Sequence, residues 1–262
     1  MWGEGAAYEP YIGRWSRQVA AQCVRRLEVP AGGDWRDIGC GTGAVTQAVL
    51  KVADPERVVG ADPSDGYVRY ARRHVTDARA GFVRGDATRL PFPDGLATAA
   101  VSGLVLNFLP APERAVAEMA RIVRPGGAVA AYVWDYTRGG MELIRSFWEA
   151  AVSLDAGSRE LDEARRFPWC APGPLAELLR AGGWADVAVD AIDIPTRFDD
   201  FEAYWAPFLG GQGPAPSYLA SLPRKRHDAL RERLRARVPV EADGSIALTA
   251  RAWNGRGRRP TR

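Results

Sequence analysis

A chain of 262 residues in which 47% of the side chains are hydrophobic and 26% are charged has the composition of an ordinary globular protein. It is long enough to bury a large core, either as one large domain or as a domain with an appendage. The net charge of +3 is small for this length, which disfavours a dedicated nucleic-acid-binding protein because such proteins usually carry a pronounced basic face.

The first half of the chain alternates between helical and strand-like patterns. Apolar residues recur at helical spacing over Arg17–Leu27, and Pro30–Gly33 end that helix. Continuous apolar runs then predict strands over Trp35–Ile38, Arg57–Ala61, Phe82–Arg84, Leu96–Leu104 and Ala128–Trp134. The helices predicted between these strands are Thr42–Val52, Asp65–Val75 and Glu113–Ile122. This alternation predicts a parallel sheet that is covered by helices on both faces.

After Trp134 the alternation becomes irregular and aromatic residues become frequent. The predicted elements are an amphipathic stretch Met141–Leu154, a helix Leu175–Ala181, a strand Trp184–Ile194, a short aromatic helix Phe201–Leu209, a loop Gly210–Pro216, an Arg-rich helix Tyr218–Val238 and a last strand Ile246–Trp253. We expect the tail Gly255–Arg262 to be frayed.

A glycine-rich segment joins the first of these strands to the helix that follows it. Its sequence is Asp37-Ile38-Gly39-Cys40-Gly41-Thr42-Gly43. Glycines at such a turn let the backbone bend sharply and approach a ligand closely. The N-terminus of the following helix offers free N–H groups that suit a carboxylate or a phosphate. Because the pattern Gly39-x-Gly41-x-x-Ala44 also satisfies a relaxed dinucleotide fingerprint, a nicotinamide-dependent oxidoreductase is an alternative at this point.

Three aspartates at strand ends shift the balance away from a dinucleotide. Asp37 precedes the first glycine, where a carboxylate would repel a pyrophosphate but could accept a hydrogen bond from an ammonium group. Asp62 ends the second strand, a position suited to holding two ribose hydroxyls. Asp86 follows the third strand and could accept a hydrogen bond from the exocyclic amine of an adenine. The set favours an adenosine ligand that also carries an ammonium group.

In this order the motifs resemble those of the class I S-adenosylmethionine-dependent methyltransferases, in the broad group of ubiquinone/menaquinone-type C-methyltransferases. The matching segments are Asp37–Gly43, Asp62-Pro63-Ser64, Gly85-Asp86-Ala87 with Leu90-Pro91-Phe92, Val101–Leu109 and Arg121–Gly127. The resemblance implies an α/β fold, a Rossmann-like three-layer sandwich with a mostly parallel seven-stranded sheet, an antiparallel last strand and a small helical cap insertion. It further implies one domain over residues 1–262, with a cofactor-binding core over 34–135 and a substrate cap within about 136–240.

Carried over residue by residue, the resemblance implies a site for S-adenosyl-L-methionine. The residues implied to bind this cofactor are Asp37, Gly39, Cys40, Gly41, Gly43, Asp62, Pro63, Asp86, Ala87, Gly103 and Leu104. The glycine loop is implied to hold the methionine part, Asp62 the ribose and Asp86 the adenine. Gly103 and Leu104 are implied to face the sulfonium. The N-terminal segment Tyr11–Arg17 resembles one that covers the cofactor in relatives.

The implied activity is transfer of a methyl group to a small-molecule acceptor, with a non-catalytic S-adenosylmethionine-binding protein as a further alternative. Since the sulfonium already activates its methyl group, the protein must mainly align donor and acceptor and exclude water. A general base is needed only for a nucleophile that holds its proton tightly. We identify no catalytic side chain: His74 and His227 lie among charged residues, as on solvated faces. Asn107 could contact substrate or cap a turn.

The aromatic residues after the fifth predicted strand are the basis for predicting where the acceptor binds. Residues about 136–210 are expected to select the acceptor, because function on such folds lies in the appended site. Trp169 and Trp205 could be walls of an apolar acceptor pocket or the core of the cap.

Composition also bounds location and partners. The 3 cysteines are far apart and odd in number, which disfavours a disulfide framework, and no Cys/His spacing resembles a zinc site. No apolar run approaches the roughly 18–20 residues that span a bilayer, and no signal peptide is visible, so we expect a cytoplasmic protein without a membrane span. We expect no nucleic-acid partner and no metal.

Overall fold

The computed structural model describes residues 13–137, 139–210 and 213–261. Its strands are β1 Asp34–Ile38, β2 Arg57–Asp62, β3 Ala80–Arg84, β4 Ala97–Gly103, β5 Val123–Trp134, β6 Ala185–Phe198 and β7 Ile246–Arg258. Its α-helices are α1 Arg14–Arg25, α2 Ala44–Val52, α3 Asp65–His74, α4 Pro112–Ile122, α5 Glu142–Leu154, α6 Glu163–Arg166, α7 Pro172–Ala181, α8 Phe201–Trp205, α9 Pro214–Ser221 and α10 Arg224–Arg235. Tyr11 and Ile12, which belong to the predicted N-terminal cover, lie outside the described residues.

The strands of the described chain form a single 7-stranded sheet in the order β3-β2-β1-β4-β5-β7-β6. β1 to β5 pair in parallel, whereas β7 runs antiparallel to both β5 and β6. The strand order reverses between β1 and β4, and open α/β sheets bind ligands beyond the carboxyl ends of the strands at such a point. The predicted fold class is therefore confirmed, with its antiparallel last strand.

The centre of the sheet is rich in alanine, and this lets the helices lie close to it. Ala99 and Ala100 of β4 and Ala130 and Ala131 of β5 are completely buried. Helix α1 packs against α2, and α4 packs against α7. The indole of Trp184, just before β6, donates a hydrogen bond to the Val116 carbonyl of α4 at 3.0 Å and so links β6 to α4. Burial of this apolar surface supplies the main driving force for folding.

Two predicted elements near residue 220 are wrong in their extent. The predicted helix Tyr218–Val238 is two helices, α9 and α10, because Pro223 lacks a backbone N–H and restricts the residue before it. The predicted loop Gly210–Pro216 overlaps α9, which begins at Pro214 with a proline in the first turn, where its missing N–H costs nothing. Residues 211 and 212 of that loop lie outside the described residues. The predicted helix Phe201–Leu209 is α8 followed by a 3-10 turn.

The predicted frayed tail Gly255–Arg262 is wrong over Gly255–Arg258. These residues form the end of β7 and pair with residues 128–131 of β5. Beyond them, the Arg259 N–H donates to the Gly127 carbonyl at 3.0 Å, and the Arg259 guanidinium donates to the Arg121 carbonyl at 2.7 Å. The tail is ordered because its backbone groups find partners far away in the chain.

The helices after β5 share a cluster of aromatic side chains that is continuous with the main core, and we call these helices the cap. Phe147 and Phe208 stack with ring centroids 4.7 Å apart, and Tyr204 meets Phe208 edge-on at 5.9 Å. Trp205 is 3% exposed and lies parallel to Phe201. None of the helices in the described part of the chain is long and apolar enough to cross a membrane.

Candidate active site

The glycine loop after β1 is held against the end of β2. Gly39 and Cys40 both donate their backbone N–H to the Ala61 carbonyl, at 2.8 and 3.0 Å. Gly39 has a φ of +72°, and a Cβ added to it would lie 2.3 Å from Cγ2 of Val105. Only glycine meets both conditions, because a larger residue would be strained and would clash with the chain after β4. The loop is thereby fixed between two neighbouring strand ends.

Asp37 lies beneath this loop and is turned toward α2. Its Oδ2 accepts hydrogen bonds from the Thr46 backbone N–H at 2.9 Å and from the Thr46 hydroxyl at 2.7 Å. Its Oδ1 is buried and has no hydrogen-bond partner. Burial raises the pKa of Asp37 to about 7; the two bonds from Thr46 oppose that rise, and the nearby negative charge of Asp62 adds to it. The carboxylate therefore anchors α2 and keeps one oxygen unsatisfied under the loop.

Asp62, the last residue of β2, is 7% exposed and lines a cavity at the carboxyl ends of the strands. Its Oδ2 accepts the Gly41 N–H at 3.0 Å, and its Oδ1 accepts the Ser64 N–H at 2.9 Å. Burial raises the pKa of Asp62, while the two backbone hydrogen bonds act to lower it. The glycine loop and the segment after β2 thus hold this carboxylate in a fixed orientation.

Asp86 follows β3 at the rim of the same cavity and is exposed. Its Oδ1 accepts from the Thr88 backbone N–H and from the Thr88 hydroxyl, both at 2.8 Å. Ala87 beside it is 6% exposed and forms part of the cavity wall. This end of the cavity therefore combines an oriented acceptor group with an apolar surface.

The cavity has a volume of about 320 Å³, which is within the range of small-molecule sites, roughly 300–1,000 Å³. Of the residues predicted to bind the cofactor, those that line it are Gly39, Cys40, Gly41, Asp62, Pro63, Asp86, Ala87, Gly103 and Leu104. Asp37 and Gly43 do not line it: Asp37 is turned to Thr46, and a Cβ on Gly43 would lie 2.9 Å from Cγ2 of Val75. The structure brings together strand ends that are far apart in sequence.

Sequence reasoning assigned no role to several other residues of the wall. These are Thr42, Ala44, Val45, Tyr67, Val105, Phe108, Leu109 and Tyr132. Ser16 also lines the cavity, and it belongs to the segment Tyr11–Arg17 that the sequence predicts as a cover of the cofactor. Tyr132 stands near the carboxyl end of β5, beside β4 in a parallel sheet, and this position is a signal that could have identified it. Ser16 belongs to α1, and its hydroxyl lies 3.2 Å from that of Tyr132, a contact that the local sequence pattern does not reveal.

The chain leaves β4 through a strained residue. Leu104 has a φ of +61°, a left-handed conformation that costs a residue with a side chain about 1–2 kcal/mol, and its N–H donates to the Tyr132 carbonyl at 2.8 Å. After this turn, Val105, Phe108 and Leu109 face the cavity. We call the wall formed by Leu104, Val105, Phe108, Leu109 and Tyr132 the apolar end of the cavity.

An aromatic group adjoins the apolar end. The ring of Phe108 meets Phe167 edge-on at 5.5 Å, and Phe167 is also 5.8 Å from Tyr136 and 6.4 Å from Trp169. Asn107, in the same turn as Phe108, is 3% exposed, and neither its amide nitrogen nor its amide oxygen has a hydrogen-bond partner. A buried polar group without a partner costs about 1–3 kcal/mol. Asn107 does not line the cavity, although Phe108 beside it does.

Neither histidine lines the cavity. His74 stacks on Tyr70 with ring centroids 3.9 Å apart, and His227 meets Trp205 edge-on at 5.5 Å. Trp205 itself belongs to the aromatic core of the cap and does not line the cavity. Among the described residues, no group of three or more His, Cys, Asp or Glu could hold a metal ion.

Comparison with known proteins gives both a family match and relatives. The family described as "Methyltransferase domain" matches residues 36–131. A demethylmenaquinone methyltransferase of Roseiflexus sp. (strain RS-1) is 32% identical over 184 residues, which cover 65% of this chain and 76% of that protein. The ubiquinone/menaquinone biosynthesis C-methyltransferase UbiE of Methylobacterium nodulans is 31% identical over 166 residues, covering 58% of this chain and 65% of that protein.

Among solved structures, phosphoethanolamine N-methyltransferase 2 of Haemonchus contortus, in complex with phosphomonomethylethanolamine and S-adenosylhomocysteine, is similar with a TM-score of 0.59. The match covers 98% of this chain and 57% of that chain at 16% identity. At that level of identity the similarity concerns the fold and not the acceptor.

Proposed function

The chain belongs to the class I S-adenosylmethionine-dependent methyltransferases, and we propose that the cavity along the carboxyl ends of β2, β1 and β4 is its cofactor site. It is an enzyme that transfers a methyl group from S-adenosylmethionine to a small molecule. The observation that carries the site assignment is the buried carboxylate of Asp62, which faces the cavity beside the glycine loop.

The hydrogen-bonding capacity of Asp62 fits a ribose. An ionised carboxylate offers about four acceptor positions, and backbone N–H groups of Gly41 and Ser64 use two of them. The remaining two match the two hydroxyls of a ribose, which are donors. We assign Asp86 and Ala87 to the adenine, because an oriented carboxylate and an apolar surface suit its exocyclic amine and its ring face. Pro63, next to Asp62, lines the cavity on the side that we assign to the ribose.

The glycine loop is assigned to the methionine part of the cofactor. Gly39, Cys40 and Gly41 line the cavity with little side-chain bulk, and Gly43 ends the loop where α2 begins. Asp37 lies below the loop with one oxygen that has no hydrogen-bond partner; burial raises its pKa to about 7, and a cationic ligand bound at the loop would favour its ionised form. A cationic ligand suits this acidic floor, whereas the pyrophosphate of a nicotinamide dinucleotide would be repelled. The residues present therefore fit S-adenosylmethionine.

When bound, the cofactor supplies a methyl group that its positive sulfonium has already activated. The contribution of the chain is to hold that group in line with the acceptor and to exclude water. Gly103 and Leu104, at the end of β4, lie where the glycine loop meets the apolar end. We assign the sulfonium to this boundary, with the acceptor beyond it against Val105 and Phe108.

We propose an aromatic quinol-type acceptor. Two observations support this proposal. The two sequence relatives are named as a demethylmenaquinone methyltransferase and a ubiquinone/menaquinone biosynthesis C-methyltransferase, and the apolar end of the cavity suits such an acceptor. The aromatic group of Phe108, Phe167 and Trp169 offers ring faces to a flat acceptor.

We further propose that the chain is one domain with a division of labour. Residues 34–135 bind the cofactor, and the cap within about 136–240 shapes the acceptor side. The contact between Phe167 of the cap and Phe108 of the core supports this division, because it places cap residues directly beside the apolar end.

Two measurements test the proposal. Calorimetric titration with S-adenosylmethionine, S-adenosylhomocysteine and NADH should give binding of the first two only. Incubation with methyl-labelled S-adenosylmethionine and a panel of small molecules, with 1,4-dihydroxynaphthalene kept reduced, should label the quinol. NADH binding without a response to either sulfur nucleoside would overturn the cofactor site, and labelling confined to non-aromatic acceptors would overturn the quinol assignment.

A further inference from the structure

The apolar end of the cavity contains one polar side chain with a fixed position. Among the described residues of its wall, Leu104, Val105, Phe108 and Leu109 are apolar, whereas Tyr132 carries a hydroxyl. The hydroxyl lies within hydrogen-bonding distance of the Ser16 hydroxyl of α1, at 3.2 Å. Both side chains line the cavity and are almost fully buried, with exposures of 1% for Tyr132 and 4% for Ser16.

Gly103 makes room for this hydroxyl. A Cβ added to Gly103 would lie 2.4 Å from Oη and 2.5 Å from Cζ of Tyr132, closer than carbon and oxygen can approach. The phenol therefore crosses directly over the end of β4, the strand with which β5 pairs at Gly103 and Tyr132. Its oxygen lies at the boundary between the glycine-loop side of the cavity and the apolar end.

Small-molecule sites are mostly apolar, and a few placed polar groups fix the orientation of the ligand. The acidic side chains that line the cavity, Asp62 and Asp86, stand at its other end. The hydroxyls of Tyr132 and Ser16 are thus in position to recognise an oxygen on the acceptor, and that of Tyr132 lies directly over the end of β4. We infer that Tyr132, oriented by Ser16, positions the acceptor by donating a hydrogen bond to the oxygen next to the atom that is methylated. This inference rests on the proposed quinol-type function.

In that reaction the ring carbon beside a phenolate oxygen forms the bond to the methyl carbon. The bond between that methyl carbon and sulfur breaks, its electron pair stays on sulfur, and the sulfonium becomes a neutral thioether. The ring proton then passes to water, which restores the aromatic ring. The Tyr132 proton is shared and not transferred: by stabilising the ionised acceptor oxygen, the hydrogen bond increases the fraction of acceptor that reacts.

The test compares Tyr132→Phe with wild type, with Ser16→Ala as a second variant and Tyr204→Phe as the matched control. Tyr204 is a completely buried tyrosine of the cap that does not line the cavity. With 1,4-dihydroxynaphthalene, Tyr132→Phe should lower kcat/KM by at least about tenfold, the factor that corresponds to the loss of one good hydrogen bond. It should also move the rising limb of the pH profile to higher pH, while affinity for S-adenosylhomocysteine stays unchanged. Ser16→Ala should act in the same direction but less strongly, and Tyr204→Phe should not.

A binding measurement keeps the inference separate from the proposed function. Protein loaded with S-adenosylhomocysteine is titrated with 1-naphthol and with naphthalene, and the preference for the naphthol should disappear in Tyr132→Phe. If wild type methylates the quinol and Tyr132→Phe has the same kinetics and pH profile, the inference is overturned and the function stands. If wild type methylates no quinol, the proposed function fails, and the binding measurement alone tests the inference. The role of Tyr132 is then overturned if wild type shows no preference for the naphthol, or if Tyr132→Phe keeps that preference. Should Tyr132→Phe melt below the assay temperature, Ser16→Ala decides: a smaller loss of kcat/KM together with a weaker preference for the naphthol supports the inference, and wild-type values of both overturn it.

Discussion

Replacing Asp62 by Asn removes the charge from the end of β2 while keeping the shape of the side chain. In the wild type the two oxygens accept the N–H groups of Gly41 and Ser64 at 3.0 and 2.9 Å. The amide of Asp62→Asn keeps one oxygen, but its NH2 group faces the other backbone donor and cannot accept from a ribose hydroxyl. A hydrogen bond to a charged group contributes about 1.5–3 kcal/mol. Affinity for S-adenosylhomocysteine should therefore fall by at least about tenfold.

Isothermal titration with S-adenosylhomocysteine, together with thermal melting of the ligand-free protein, measures this effect. The variant should remain folded, because burial raises the pKa of Asp62 and so already disfavours its charged form. Asp65→Asn is the control: Asp65 is 55% exposed, pairs with Arg84 at 3.4 Å, and should leave the Kd unchanged. A folded Asp62→Asn protein that binds within about twofold of wild type would refute the ribose assignment.

The remaining predictions concern stability and the cap. Burial raises the pKa of Asp37 to about 7, above its ordinary value of 3.8, so the folded state holds this proton more tightly and loses stability as the pH rises toward 7. Thermal melts from about pH 5 to about pH 8 should show Asp37→Asn gaining stability relative to wild type as the pH rises, and parallel curves would contradict this. Removing residues 256–262 should lower the Tm, because it deletes backbone pairs between β7 and β5; an unchanged Tm would mean that these pairs do not stabilise the fold. Trp205→Ala should lose about 3–5 kcal/mol in denaturant unfolding, since the ring is buried in the cap. Trp169 is half-buried, so Trp169→Ala should lose less stability than Trp205→Ala and should raise the KM for the acceptor. Equal stability losses in the two variants would contradict the assignment of Trp205 to the core and of Trp169 to the acceptor side.

Much of the fold follows from local patterns in the sequence. The predicted bounds of β1 to β4 and of the helices α2 to α4 agree with the structure to within about two residues, because apolar runs and helical spacing each reflect burial on a regular element. β5 begins at Val123, before the predicted start at Ala128. The elements that were wrong depend on neighbours. Gly255–Arg258 reads as a polar, glycine-rich tail, yet it is a strand because residues 128–131 of β5 supply its hydrogen bonds. The helix break at Pro223 was visible in the sequence and was missed because the apolar spacing continues past it.

The residues of the site also fall into two groups, those whose position follows from a local pattern and those whose position depends on packing. The glycine loop, Asp62 and Asp86 stand at the ends of strands, and the geometry of a parallel sheet places such residues at one edge, so their meeting in one cavity could be predicted from the sequence alone. The orientation of Asp37 toward Thr46, and the burial of Trp205 in the cap while Trp169 is half-buried, follow only from the tertiary structure. It alone decided the meeting of Ser16 with Tyr132, which are 116 residues apart in the chain. The position of a strand end is set by its own backbone. A contact between side chains of distant elements depends instead on how those elements pack, and no local pattern encodes that packing.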